Sequence, residues 1–138
     1  MEMHNKPHNK IESIKKSTVR IGEAIYHILK PFKRVYAIVA DEGTTFPFIV
    51  YRRSSGYSQS SKDGIYSATA TIEVKIATAD YPEGVKIADE VIHTMEAVRG
   101  DVKGFDIWQI RMIDSDENYI ESTFIQTLKF SVEFSVGK

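Results

Sequence analysis

Three groups of side chains in this sequence have types and spacings that chemistry can use. His4 and His8 stand four residues apart, which on a helix would put two imidazoles on one face, as in half of a zinc site. Pro7 lies between them and disfavours that helix, and no third ligand stands near. Asp114, Asp116 and Asn118 place oxygens at alternate positions, like the opening of a calcium loop. The pattern then fails, because Tyr119 occupies the sixth position, where the loop needs glycine, and Ile125 the twelfth, where it needs glutamate. An acidic turn is the reading these residues support. His27 or His93 could join a serine and an aspartate in a hydrolytic triad, but His93 borders an apolar helical stripe and reads as a rim residue. The chain has no glycine-rich phosphate loop, no G-x-S-x-G elbow and no H-E-x-x-H. No catalytic, cofactor-binding or metal-binding residue is assigned.

Composition narrows the classes further. The net charge of −1 gives no field that would draw nucleic acid or an anionic membrane. With no cysteine there is no disulfide framework, thiol nucleophile or sulfur-ligated metal, which suits a reducing compartment. No apolar run approaches the ~20 residues that span a bilayer, and no signal-peptide core opens the chain, so an intracellular protein is expected. A length of 138 residues suits one domain. Residues 1–10 carry no apolar pattern and are expected to form a disordered tail ahead of a single domain over 11–138.

The elements that would position any site centre on Ser67 to Gly100. Ala68, Ala70, Ile72, Val74 and Ile76 alternate with Ser67, Thr69, Thr71, Glu73 and Lys75, which predicts a strand with one buried face. Asp80 as N-cap, Pro82 in the first turn and Glu83 three residues after the cap then start a helix. Ile87, Ala88, Val91, Ile92, Met95 and Val98 line one side of it, and Gly100 stops it.

An earlier helix is expected over Lys10 to Lys30, with Ile11, Ile14, Ile21, Ile25 and Ile28 in a narrow stripe and Pro31 closing it. Phe32 to Val39 and Phe48 to Arg53 read as two strands paired in a hairpin. Ser54 to Tyr66, with five serines and two glycines, reads as a long polar loop. Phe105 to Ile113 is a strand apolar on both edges, and Tyr119 to Val136 closes the chain with another long alternating strand. The order α-β-β-β-α-β-β predicts an α+β fold, a two-layer sandwich of an antiparallel or mixed sheet with two helices on one face. Such a sheet has edges, and its long strands outrun their neighbours, so ring assembly by sheet extension is a natural expectation.

The layout then becomes familiar. The strand RVYAIV, the proline-led strand FPFIVY (Phe46 to Tyr51), the long strand TATIEVKIAT, an amphipathic helix and the closing strand LKFSVEFSV together resemble the tail-completion or tail-terminator proteins of long-tailed bacteriophages, a family often prophage-encoded. The resemblance covers Phe32 to Val136, and its most recognisable part is V-Y…P-[FY]-[IV]-V-Y ahead of a long strand; Lys33-Arg34 stand where the family has a glycine. It implies a structural, non-enzymatic role with no cofactor: a homo-oligomeric ring, typically hexameric, that caps the tail tube, ends its polymerisation and joins the head. The partners it implies are further copies of the chain, the tail-tube protein and the head–tail connector, with no nucleic-acid specificity and no membrane. It implies a place in the virion after assembly in the host cytoplasm. Tyr57, Lys62 and Asp63 in the serine-rich loop, Arg52 and Arg53 beside it, and Glu73 and Lys75 on the polar side of the long strand are the expected contact residues. Two other readings are open: a neck or head-completion component, or a small enzyme or binding domain with a pocket between helix 81–99 and the sheet.

Overall fold

In the computed structural model, which describes residues 18–60 and 66–135, two helices lie on one face of a six-stranded sheet. A 3-10 turn, Thr18–Arg20, leads into α1 (Ile21–Leu29), and a second, Lys30–Phe32, ends it at Pro31. The strands are β1 (Val35–Ala37), β2 (Phe48–Ser60), β3 (Tyr66–Thr78), β4 (Gly100–Val102), β5 (Phe105–Ile120) and β6 (Thr123–Ser135), and α2 (Tyr81–Glu96) connects β3 to β4. Their spatial order is β1-β2-β3-β6-β5-β4. The α+β sandwich expected from the sequence is what forms.

The core lies where the period-two pattern puts it. Ile72 faces Phe130 across β3 and β6, Val74 faces Leu128, and Ala70 faces Val132, all fully or almost fully buried. Ile110 and Ile107 of β5 continue this layer, and Ile21, Ala24, Ile25, Ile28 and Leu29 of α1 roof it. Ala88, Val91 and Met95 of α2 are buried in the same core between helix and sheet. Asp80 caps α2 as predicted, its Oδ2 accepting the Glu83 N–H at 3.1 Å, with Pro82 in the first turn.

Several expectations are corrected. Phe32 to Val39 does not form a long strand: positive φ at Lys33 (66°) and Arg34 (43°) confine β1 to three residues. β1 runs parallel to β2, Val35 opposite Ile49, so the two are not a hairpin. The link between them starts on the face away from the helices, where Ile38, Val39 and Ala40 lie beside Val50, Lys75 and Ala77. The serine-rich segment is not a loop as far as Ser60, since β2 continues to that residue paired with β3 (Gly56 opposite Ala70, Gln59 opposite Ser67); 61–65 lie outside the described residues. The ladder of backbone hydrogen bonds sustains this pairing. The acidic "turn" 114–118 is strand, Asp114 opposite Lys129 and Asn118 opposite Ile125. The chain reverses instead at Glu121 (φ 51°) and Ser122 (φ 62°), a two-residue turn of the I′ kind, and again at Lys103 (φ 52°) and Gly104 (φ 89°). α2 ends at Glu96, short of the expected 99, and Gly100 (φ 90°) opens β4, a strand too short and polar to be read in advance. The tail 1–10 and the first part of the expected helix lie outside the described residues.

Candidate functional site: the open face of the sheet

The face opposite the helices carries the residues that alternate with the core. From β2 to β5 the register aligns Arg52, Glu73, Lys129 and Asp114 in one row, so charges of alternating sign face one another across four strands. Arg52 Nε donates to Glu73 Oε1 at 2.9 Å. The Arg52 side chain is 49% exposed while that of Glu73 is only 11% exposed, so the carboxylate is the shielded partner. Lys75, one step further along this face, lies exposed opposite Val50 and Thr127.

Beyond Lys75 the face turns apolar. Ile38, Val39, Phe48, Val50, Ala77 and Ile125 line a groove of ≈ 440 Å³ under the link from β1 to β2. That link starts with a strained turn: the Val39 N–H donates to Ala37 O at 2.7 Å around Ile38 at φ 69°. A γ-turn with positive φ is rare, and rarer for a β-branched residue. It holds Ile38 and Val39 more than two thirds exposed.

Of the expected contact residues, Arg52, Glu73 and Lys75 come together here. Arg53 does not: strand alternation turns it to the helical side, where it lines a second groove with Val19, Arg20 and Tyr51. Tyr57 is on β2 opposite Thr69, and Lys62 and Asp63 lie outside the described residues. Asp114, Asp116 and Asn118 share the open face, but in an extended chain alternate residues are ~6.8 Å apart and do not converge on one cation. Among the described residues no group of three His, Asp or Glu side chains has the arrangement of a metal site, and no helix is long and apolar enough to cross a membrane.

One polar cluster was not anticipated. Glu117 Oε1 accepts from both Tyr81 Oη and Gln126 Nε2 at 2.8 Å, tying the start of α2 to β5 and β6. The bonds from Gln126 and then Tyr81 hold the Glu117 carboxyl below its ordinary value, and the bond to Glu117 holds the Tyr81 phenol above its own. Reading 114–118 as a turn hid this clamp, because only as a strand does Glu117 face Gln126.

No protein-family model matches the chain, and no curated protein matches it in sequence. Among solved structures, it is similar to a chain from the virion of a native gene transfer agent particle, with a TM-score of 0.64 and 11% identity over 80% of this chain and 84% of that one. At that identity the likeness is one of fold.

Proposed function

We propose that this chain is a structural protein of a phage-like particle, a tail-completion protein whose copies close into a ring, hexameric in the typical arrangement, that caps the tail tube and ends its growth. The observation that carries the reading is the shared fold with a gene transfer agent virion chain over four fifths of this one. The open face agrees with it: a row of alternating charge beside an exposed apolar groove suits protein contact, in which charge sets register and apolar surface supplies affinity. The role needs no catalysis and no cofactor. In it the tail-tube protein and the head–tail connector are the partners, and the virion, assembled in the bacterial cytoplasm, is the location. In this proposal Tyr57, Lys62 and Asp63 are contact residues for the tube or a neighbouring copy.

Mass photometry of the full chain, alone and with purified tail tubes, tests the proposal. A discrete oligomer that binds tube ends and arrests their extension is expected, and Tyr57→Ala with Lys62→Ala weakens that capping. Binding to portal or connector rings with no affinity for tubes would move the protein to the neck. A chain that stays monomeric with and without tubes and leaves tube length unchanged would sink the reading.

A further inference from the structure

The two ends of the sheet carry unlike surfaces, one acidic with an exposed tryptophan and one a groove lined by arginines. On β5, two irregularities in the register with β6 leave Trp108 and Ile113 without cross-strand partners. Such bulges push a side chain out of the ladder and blunt the edge against strand addition. Outward-facing amides of the same edge are already occupied: Met112 N–H by Glu96 at 2.8 Å, Ser115 N–H by Asp114 at 2.9 Å and Tyr119 N–H by Asn118 at 2.8 Å. This edge therefore suits contact through side chains better than extension of the sheet. Trp108 is 44% exposed and Ile113 48%. Next to Trp108, Asp101 of β4 and Asp106 of β5 are direct cross-strand partners, and neither has an ion pair among the described residues. Like charges placed opposite one another destabilise a hairpin, and a cation between them would reverse the sign of that effect.

The far end of the sheet supplies the cation. β1 covers β2 only from Ile49 to Tyr51, so among the described residues the strand beyond is an edge, and between it and α1 lies a groove of ≈ 580 Å³. Val19, Ala37, Ile38 and Tyr51 give it apolar walls, and Arg20, Arg52 and Arg53 give it positive charge. Arg20 pairs with Glu23 and Arg52 with Glu73, whereas Arg53 has no ion pair among the described residues.

We propose that the β4–β5 end of one copy docks in the arginine-lined groove between α1 and β2 of the next, with Trp108 as the apolar anchor and Arg53 of the neighbouring copy against the Asp101–Asp106 pair. The two surfaces are different patches of one molecule, so the contact is head-to-tail, and head-to-tail contacts close into rings when the rotation permits. Buried aromatic anchors flanked by arginine carry most of the energy in such interfaces. The inference rests on the ring reading above and names its subunit contact.

Charge reversal tests it by sedimentation of the full chain. Asp106→Arg and Arg53→Glu are each expected to weaken self-association at least ~10-fold, and Trp108→Ala likewise. Mixing the Asp106→Arg and Arg53→Glu chains restores assembly, because each then meets an opposite charge at both ends. A second measurement does not depend on equilibrium affinity. The chain has no cysteine, and positions 53 and 106 lie on strands three spacings apart, with the row of Arg53 reaching β5 at Met112 and not at Asp106, so they are separated by at least about 14 Å, too far for a disulfide within one molecule. A chain carrying both Arg53→Cys and Asp106→Cys should therefore oxidise to a ladder of covalent multimers that neither single variant gives. Folded charge-reversal variants that assemble like the native chain, with no such ladder, overturn the contact and leave the ring reading standing. A native chain that never self-associates, even on tubes, removes both.

Discussion

Removing Arg52 should destabilise the protein more than removing the glutamate it pairs with, and the difference in exposure says by how much. A hydrogen bond to a charged group contributes about 1.5–3 kcal/mol when shielded, and an exposed ion pair about 0–1 kcal/mol. Arg52 is half exposed and Glu73 mostly covered, so the pair lies near the lower bound of the first range and the upper bound of the second. Arg52→Ala leaves a carboxylate that is still shielded, with Lys129 facing it from β6 as partial compensation, for a loss of about 1 kcal/mol. Glu73→Ala releases a guanidinium that already reaches water, for about 0.5 kcal/mol or less. At ~2.1 cal/mol/K per residue, a chain of 138 residues shifts by roughly 3–4 °C for each kcal/mol, so the two melting curves are resolvable. Urea titration of both single variants and the double variant closes a thermodynamic cycle with an expected coupling of about 0.5–1 kcal/mol. If Glu73→Ala costs as much as Arg52→Ala, or the coupling is absent, the covered carboxylate is not held by this arginine and the reasoning fails.

Other substitutions probe the elements behind the open face. Met95→Ala, at a fully buried position of α2, should cost about 2–5 kcal/mol in urea unfolding. Gly84→Ala would place a methyl carbon 2.9 Å from Thr78 Oγ1, which a 2.8 Å bond to Asp80 O fixes in place. It should lower stability by about 1 kcal/mol net of the helix-propensity gain, and Thr78→Ala in the same chain should recover most of that. The Glu117 carboxyl titrates below its ordinary value in the folded state, so its contribution is present above that ordinary value and fades as pH falls through the lowered one. Acid melts of Tyr81→Phe and Gln126→Leu together should lose that part of the pH dependence, and an unchanged acid limb would refute the clamp.

What the sequence made legible follows from burial. β3 from Ala68 and β6 from Leu128 bury one face, so hydropathy alternates and their core residues could be named in advance. α2 announced itself by its cap. β2 from Arg52 to Gly56 and the second half of β5, from Ile113 to Ile120, are exposed on both faces, so no alternation marks them as strands, and the backbone ladder that holds them leaves no trace in composition. The turn at Glu121-Ser122 uses left-handed backbone without glycine or asparagine, which removed the signal that would have ended β5 there. Phe105 to Ile113 read as apolar on both edges because two bulges within it break the period. Of the expected contact residues, Arg52, Glu73 and Lys75 met on one face as alternation requires, and Arg53 left it for the same reason.

The distribution of charge separates two kinds of surface that a net charge of −1 conceals. Across the open face, each charge of the row from Arg52 to Asp114 has an opposite neighbour on the adjoining strand, so that row offers a partner alignment and little unspent attraction. At the ends of the sheet the balance is missing among the described residues: two aspartates face each other on the β4–β5 hairpin, and Arg53, without an ion pair among them, lines the groove beside β2. Exposed apolar residues stand beside these charges, Trp108 and Ile113 at one end and Val19 and Ile38 at the other. Raising the salt concentration should therefore weaken a contact made at the ends without abolishing it, because screening removes the charge pairing and leaves the Trp108 anchor, and it should lower the stability of the monomer by less, because the half-exposed Arg52–Glu73 pair contributes only about 1 kcal/mol.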